Sequence, residues 1–168
     1  MFRMNSIIMG LVSLFVFGTA QAAVLTVSDY TDNGDGTGTA FITMSSDEAV
    51  AGFQFNVDSS FDGFAVTGAS GGAATENGFM MSTGTNMALG FSLTGGTIPA
   101  MDGVLCELAV TGVEGEGFIG LSGITISDAA GLAIESSAGD DYVFENNYEE
   151  CLEDCVDFDL VDGVSGSD

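Results

Sequence analysis

The sequence predicts an all-β protein whose single domain is an antiparallel β-sandwich of about nine short strands. Short segments alternate apolar and polar residues with a period of two, which is typical of strands that bury one face. Turn-forming residues, above all Gly, separate these segments at intervals of about 8–12 residues. No segment has the period of an amphipathic helix, and 168 residues are enough for one domain.

The centre of the chain, residues 86–111, contains two alternating runs on either side of a turn-rich connector. Their apolar sides carry Met87, Leu89, Phe91 and Leu93 in the first run and Val104, Cys106, Leu108 and Val110 in the second. Pro99 lies in the connector and cannot donate to a strand ladder, so pairing ends before it. We therefore predict two core strands joined by a loop that allows a change of sheet.

The other predicted strands cover residues 24–28, 38–44, 49–57, 61–67, 78–82, 118–127 and 132–134, with a loop of small residues at 68–75. In 118–127 the alternation changes phase at Gly123, which indicates a bulge or a bend. The alternation is clearest at 49–57, where Phe53, Phe55 and Val57 are predicted to be buried. The opposite, outward side carries Gln54, Asn56 and Asp58.

The segment TDNGDGTG at residues 31–38 carries the densest turn signal and suggests either a hairpin turn or a calcium loop. If Asp35 and Gly36 take positions five and six of an EF-hand loop, Thr31 and Ile42 fall at positions one and twelve, where carboxylates are needed. The segment is therefore predicted to be a hairpin turn, and no cofactor is predicted.

The charge of the chain excludes several functions. Arg3 is the only basic residue, against 25 acidic residues and no His. Nucleic acids and anionic membranes are excluded as partners, because both are bound through Lys and Arg. An enzyme is not expected, because a chain without His or Lys lacks the usual nucleophile–base pairs.

The two ends of the chain differ from its middle. Residues 1–22 resemble a secretory signal peptide, with Arg3, an apolar run at 7–17 and an A-x-A cleavage site ending at Ala22; an uncleaved anchor is the alternative. The mature protein is therefore expected to be secreted, extracellular or at the cell surface. Residues 23–138 are predicted to form the sandwich, and residues 139–168 an acidic, disordered tail. A short helix or docked strand at 148–157 is the alternative there.

The three cysteines have different predicted roles. Cys106 shares the apolar side of its strand and is predicted to be a buried hydrophobic residue. Cys151 and Cys155 are close enough in sequence for a local disulfide in an oxidising exterior. Metal binding by this pair is disfavoured, because no His or second Cys pair completes a site.

Three segments resemble cohesin modules in their order and approximate spacing: residues 50–57 (VAGFQFNV), 89–105 (LGFSLTGGTIPAMDGVL) and 121–131 (LSGITISDAAG). The resemblance covers residues 23–134. It implies a nine-stranded jelly-roll sandwich, related to carbohydrate-binding modules, without catalytic activity. Cohesins bind dockerin modules through one sheet face, so the resemblance implies a dockerin-type or other protein partner. It also implies that the partner-binding residues are Gln54, Asn56 and Asp58, which are otherwise simply solvated positions of the strand.

Two alternative functions are a carbohydrate-binding module that takes a polysaccharide and a structural subunit of an extracellular surface assembly. Sugar-binding sheets usually offer Trp or Tyr platforms. This chain has no Trp, and of its three Tyr, Tyr142 and Tyr148 lie in the predicted tail. A protein partner is therefore favoured.

Since the mature chain has carboxylates and no basic side chains to pair with them, its stability should rise with salt. We expect the melting temperature to be lower at low ionic strength than in molar salt, with calcium acting at lower concentration than monovalent salt. Thermal unfolding followed by circular dichroism measures this. A melting temperature that changes with neither monovalent salt nor calcium would mean that the carboxylates are too dispersed to repel one another.

Overall fold

A computed structural model describes residues 22–145, within which eleven strands and one short helix form two packed sheets. The strands are, in chain order, β1 (Ala23–Asp32), β2 (Thr37–Ser46), β3 (Gly52–Ser59), β4 (Ala65–Ser70), β5 (Met80–Gly84), β6 (Met87–Phe91), β7 (Met101–Thr111), β8 (Gly117–Ser127), β9 (Ala133–Ile134), β10 (Ser136–Ala138) and β11 (Tyr142–Phe144). The helix α1 (Gly72–Glu76) lies between β4 and β5. None of the helical structure in this range is long and apolar enough to cross a membrane.

The first sheet has the strand order β10–β1–β2–β7–β4, and the second sheet has the order β11–β8–β3–β6–β5, with β9 also pairing with β8. All pairs are antiparallel except β1 with β10. The predicted sandwich of mainly antiparallel strands is confirmed. The nine predicted segments all contribute strands, and β10 and β11 are additional.

The core between the sheets is built around aromatic rings from the second sheet. Phe53 and Phe55 of β3 are fully buried, and Phe79 stacks on Phe53 with ring centroids 6.1 Å apart. Val57 is buried on the same side of the strand. These positions confirm the predicted inward side of β3, and burial of each large apolar side chain contributes about 1.5–3 kcal/mol.

The predicted inward side of β6 is wrong. Ala88 and Gly90 face the core, whereas Met87, Leu89 and Phe91 are half-buried on the opposite side. The reason is the ring of Phe53, which occupies the space that a side chain at position 90 would need. A strand facing this ring can present only small residues to it, so its large apolar side chains turn outward.

The loop after β6 changes sheets, as the sequence allowed, because β6 lies in the second sheet and β7 in the first. The strand ends at Phe91, so Leu93 lies beyond it and is 72% exposed. Pro99 is in this loop, and its neighbour Ile98 is buried and bridges to Val50. The connector is therefore held to the core by an apolar contact and two backbone hydrogen bonds.

A bulge in β7 corrects the prediction for Val104. Ile42 of β2 pairs with Cys106, but the next residue pairs with Val104, so Leu105 is an extra residue in the ladder. Leu105 and Cys106 are consequently both buried, whereas Val104 is 37% exposed. Burial, followed by the nearby carboxylate of Glu107, raises the pKa of the Cys106 thiol to about 12. The prediction that Cys106 is buried is confirmed.

A second bulge lies in β8 at Gly123, where the sequence predicted one. Gln54 of β3 pairs with Thr125, but Asn56 pairs with Ser122, so the β8 strand carries one more residue than β3 here. Gly123 has a φ of 56°, which favours glycine. The Asn56 amide lies against its α-carbon.

The small-residue loop predicted at 68–75 is wrong at both ends. The strand β4 continues to Ser70, and residues from Gly72 form α1. Gly72 has a positive φ and lies against the backbone of Leu105, where no larger residue fits. The following Ala73 and Ala74 favour a helix, and Ala74 is buried against the core.

The segment at 31–38 is a hairpin turn between β1 and β2, as predicted. Asp32 accepts a hydrogen bond from the Gly34 amide at 2.8 Å, and Asp35 accepts one from the Thr37 hydroxyl at 2.6 Å. The bonds from the Thr37 hydroxyl and amide lower the pKa of Asp35. No group of three or more His, Cys, Asp or Glu residues between 22 and 145 is arranged to hold a metal ion.

The strand β11 lies inside the segment that the sequence assigned to the tail. Phe144 packs edge-on against Tyr30, Phe61 and Tyr142, with ring centroids 4.9–5.2 Å apart. The predicted signal-peptide segment up to residue 21 and the predicted disulfide between Cys151 and Cys155 lie outside the described residues.

We expect Gly90→Ala to lower the free energy of unfolding by about 1–3 kcal/mol, because the new methyl group would meet the Phe53 ring. Gly103→Ala is the matched control, since the nearest atom to its methyl group is Met101 Cε at 3.8 Å. Urea unfolding of both variants measures the difference. Equal stabilities would show that Phe53 does not determine the orientation of β6.

Cys106 should react with a polar thiol reagent at pH 8 only after denaturation, because the thiol is fully buried and its raised pKa keeps it protonated. Absorbance of the released reagent, with the other cysteines blocked or replaced by Ser, measures the rate. Labelling of the native protein as fast as that of the unfolded protein would contradict the position of Cys106 in β7.

Candidate functional site

The three predicted partner-binding residues lie on the middle strand of the second sheet. The side chains of Gln54, Asn56 and Asp58 alternate with the buried side of β3 and point away from the core. Gln54 and Asn56 are half-buried, and Asp58 is exposed. We define the outer face as the solvent side of β8, β3, β6 and β5, and the structure places all three residues on it.

Strand register arranges the outer face in three rows that run across the four strands. From β8 to β5, the rows are Thr125, Gln54, Leu89 and Ser82; Ser127, Gly52, Phe91 and Met80; and Ser122, Asn56, Met87 and Gly84. Gln54 and Asn56 of β3 are therefore directly beside Leu89 and Met87 of β6. The outer face is polar along β8 and β3 and apolar along β6.

The apolar half of the outer face was missed by sequence reasoning. Met87, Leu89 and Phe91 were recognised as one side of a strand, but that side was assigned to the core. The sequence does contain a signal that distinguishes the two sides of this strand. Ala88 and Gly90, which alternate with the large residues, are small enough to face the Phe side chains of β3. Met80 on the edge strand β5 extends the apolar half and is 51% exposed.

A shallow depression crosses the boundary between the polar and apolar halves. Its volume is about 280 Å³, and its lining is contributed by Gly52, Phe53, Gln54, Leu89, Gly90, Phe91, Thr125 and Ser127. The absence of a side chain at Gly52, which lies between Ser127 and Phe91 in its row, leaves room for it. A partner side chain entering it would contact the Phe91 ring on one side and the Gln54 amide on the other.

The amide groups of Gln54 and Asn56 are free to bind. Within residues 22–145, no other side chain or backbone group forms a hydrogen bond with either amide. Each amide offers two donor hydrogens and one acceptor oxygen. The backbone of both residues is fixed by pairing of β3 with a strand on each side.

Charge distinguishes the outer face from the rest of the surface. The three rows contain no charged residue among their twelve positions. Asp58 lies beyond them, opposite Gly120. On the solvent side of the first sheet, by contrast, Asp29 and Glu107 flank Phe41 in one row. In a chain with a formal charge of −24, the outer face is a surface with a low density of carboxylates.

Carboxylates collect instead at one end of the sandwich. Asp62, Glu114 and Glu116 line an open depression of about 390 Å³ together with Ser60, Phe61 and Gly112. All three carboxylates are exposed to solvent. The Ser60 hydroxyl beside them accepts a hydrogen bond from the Phe118 amide at 2.9 Å.

Comparison with solved structures identifies the fold. No family model matches the chain, and no curated protein sequence matches it. Similar folds include the third ScaB cohesin of R. flavefaciens in complex with a group 1 dockerin (TM-score 0.56, 15% identity, covering 77% of this chain and 99% of that one). The sixth cohesin of Acetivibrio cellulolyticus scaffoldin B, in complex with a Cel5 dockerin mutant, has a TM-score of 0.54 at 14% identity and covers 71% of this chain and 95% of that one.

A third similar structure is the non-cellulosomal cohesin of the hyperthermophilic archaeon Archaeoglobus fulgidus. Its TM-score is 0.52 at 14% identity, with coverage of 79% of this chain and 98% of that one. The chain therefore has the fold of cohesin modules, as the sequence resemblance implied. At these identities the likeness shows the fold alone.

Proposed function

We propose that this protein is a secreted, non-catalytic, cohesin-like module that binds a protein partner through the outer face. The observation that carries this proposal is the composition of that face, where unpaired amides of Gln54 and Asn56 adjoin the half-exposed Leu89 and Met87. When a complementary protein surface packs against such a face, water is displaced from the apolar residues, and the amides can form directional hydrogen bonds with the partner.

The apolar half of the outer face suits a protein partner. Aromatic residues and Met are enriched in the buried centres of interfaces, and the outer face offers Phe91, Met80 and Met87. These side chains project from paired strands rather than from loops, so the partner meets a nearly preorganised surface. Phe91 and Leu89 are the best placed anchors, because they line the depression on this face.

A dockerin-type partner is the most specific form of the proposal. Cohesins with this fold have been solved in complex with dockerins, including the R. flavefaciens and Acetivibrio cellulolyticus modules. In this chain Gln54 and Asn56 would bond to polar groups of the partner. Asp58, beside the three rows, would favour a basic group at that edge of the interface.

Extracellular localisation is part of the proposal. It is supported by the signal-peptide pattern of residues 1–22, and cleavage after Ala22 would leave Ala23 at the start of β1. Residues 139–168 would then follow the sandwich as an acidic segment whose first part contributes β11.

A polysaccharide is the alternative ligand. The described part of the outer face offers one aromatic ring in its rows, that of Phe91, and no Tyr. Tyr30 and Tyr142 instead pack against Phe144. An extended row of aromatic platforms for sugar rings is therefore missing from these rows.

The variant Gln54→Ala/Asn56→Ala tests the proposal. It should fold normally and bind its partner about 5- to 30-fold more weakly, since loss of central hydrogen bonds at an interface costs about 1–2 kcal/mol. The partner is first recovered by pull-down from the native secretome, and the affinities are then measured by titration calorimetry. Thr39→Ala/Thr111→Ala, on the solvent side of the first sheet, is the matched control and should leave the affinity unchanged.

Two results would contradict the proposal. One is equal partner affinity for the wild type and the Gln54→Ala/Asn56→Ala variant. The other is selective retention of the wild type on an insoluble polysaccharide, with no protein recovered by the pull-down, which would establish the alternative ligand.

A further inference from the structure

The second sheet ends at β5, and the outer edge of this strand is unpaired within the described chain. β5 pairs with β6 on one side and is the last strand of the order on the other. Within residues 22–145, none of its five residues forms a backbone–backbone hydrogen bond outside the pairing with β6. Alternate residues of a strand direct their amide and carbonyl groups to opposite sides. The groups that point away from β6 are therefore available to another strand.

The edge strands β4, β10 and β11 carry features that prevent other strands from pairing with them. In β4, a bulge lies between Val66 and Gly68, and the Val66 amide donates a hydrogen bond to the Thr85 carbonyl at 2.7 Å. β10 and β11 are only three residues long. Acidic residues flank these two strands, namely Glu135, Asp140, Asp141 and Glu145. β5 differs from all three, because its five residues include no Pro and no charged residue and pair with β6 without a bulge.

Charge makes a second copy of this chain the partner that fits the β5 edge. The chain has 25 acidic residues, yet residues 77–101, which include β5 and β6, contain no acidic and no basic residue. A two-fold interface brings the same patch of both copies together. In a chain whose only basic residue is Arg3, a patch with carboxylates would face a second set of carboxylates and repel it. The β5 edge avoids this repulsion, whereas a basic or acidic partner would find no opposite charge on it.

We infer that β5 pairs antiparallel with β5 of a second copy, so that two sandwiches form a two-fold dimer with one continuous sheet. The outer faces of the two copies then lie side by side, and both stay uncovered. The pairing itself does not depend on the proposed function. One consequence does rest on it, since the dimer would hold two partner-binding faces at a fixed spacing and bind a bivalent partner with increased avidity.

The side chains of β5 are compatible with this pairing. The register that pairs all five residues places Ser82 opposite Ser82 of the second copy, and Met80 opposite the second copy's Gly84. Met80 is 51% exposed and lies on the outer face with Ser82 and Gly84. The space above Gly84 is open, because a Cβ atom there would meet only Met87, at 3.9 Å, apart from its neighbours in sequence. Each Met80 can therefore pack over Gly84 of the other copy.

The dimer is expected to be weak, because β5 is short. Its five residues make a strand of about 17 Å, and two packed sheets give the edge a width of about 20 Å. The contact then buries on the order of 700 Å² in total, which is below the size of stable interfaces and in the range of transient ones. We therefore expect dissociation constants between micromolar and millimolar. Carboxylates elsewhere on the two copies should make the dissociation constant depend on salt.

Sedimentation equilibrium of the chain from Ala23 to Asp168, at micromolar to millimolar concentration in low and in molar sodium chloride, tests the inference. We expect a monomer–dimer equilibrium whose dissociation constant falls about three- to tenfold in molar salt, because the carboxylates of the two copies are then screened. Ser82→Lys places two like charges opposite each other at the two-fold axis and should weaken the dimer about fivefold or more. Thr125→Lys makes the same charge change at an exposed position of β8 and should leave the dimer unchanged.

Gly84→Val is a second variant, and it changes no charge. The added side chain occupies the space that Met80 of the second copy would fill, so this variant should also weaken the dimer about fivefold. The open space above Gly84 in its own chain makes the variant compatible with the fold. Circular dichroism of each variant measures whether it is folded like the wild type.

A chain that stays monomeric at millimolar concentration in molar salt would overturn the inference. So would a dimer that Ser82→Lys and Gly84→Val both leave as strong as the wild type, because its contact would then lie elsewhere on the surface. These measurements are made without a partner, and the Gln54→Ala/Asn56→Ala variant should dimerise like the wild type. The inference and the proposed function can therefore fail separately, one by sedimentation and the other by partner affinity.

Discussion

The contact between the Phe53 ring and the backbone of Gly90 is the constraint on which the second sheet depends. The rings of β3 and Phe79 fill the space between the sheets, so the neighbouring strand β6 can turn only Ala88 and Gly90 toward them. The larger side chains of β6 are thereby forced to the solvent side. The apolar half of the outer face is thus a consequence of core packing, and changes in the core would alter this face as well.

Two bulges determine which side chains of β7 and β8 face the core. In β7, the extra residue Leu105 buries two consecutive side chains and closes the core beneath Cys106. In β8, the extra residue beside Gly123 brings the polar side chains of Ser122 and Thr125 into line with Asn56 and Gln54. Each bulge shifts the alternation of its strand by one residue, so that the strand keeps apolar side chains toward the core on both sides of the bulge.

Periodicity in the sequence was sufficient to predict the strands, the sandwich and the buried side of β3. In β3, large apolar residues alternate with polar ones. It was insufficient for β6, where either side could have been the inward one and the choice depended on the rings of another strand. Val104 was assigned to the wrong side because the bulge shifts the alternation of β7, and its extra residue, Leu105, is an ordinary strand residue that does not reveal a bulge in the sequence. The strands β10 and β11 are three residues long, and such short pairings depend on neighbours distant in sequence.

The same reasoning accounts for the candidate site. Gln54, Asn56 and Asp58 were placed on the outward side of β3 by local alternation, and the structure has them there. Their apolar neighbours Met87, Leu89 and Phe91 could not be found in this way. Which residues of two strands lie side by side depends on the register of the strands, and local alternation does not reveal it. The sequence therefore predicted the polar half of the face, and tertiary packing decided the other half.

The parallel pairing of β1 with β10 has a mechanical consequence. Ala23 lies opposite Ser136 and Leu25 opposite Ala138, so the first and last strands of the first sheet run side by side in the same direction. A pulling force applied at the start of β1 and at the end of β10 would draw the two strands in opposite directions along their common axis. Their hydrogen bonds would then share the load in shear instead of opening one after another, as they would in a hairpin pulled from its open end. The pairing of β1 with β10 would therefore resist such a force more strongly than a hairpin of the same length.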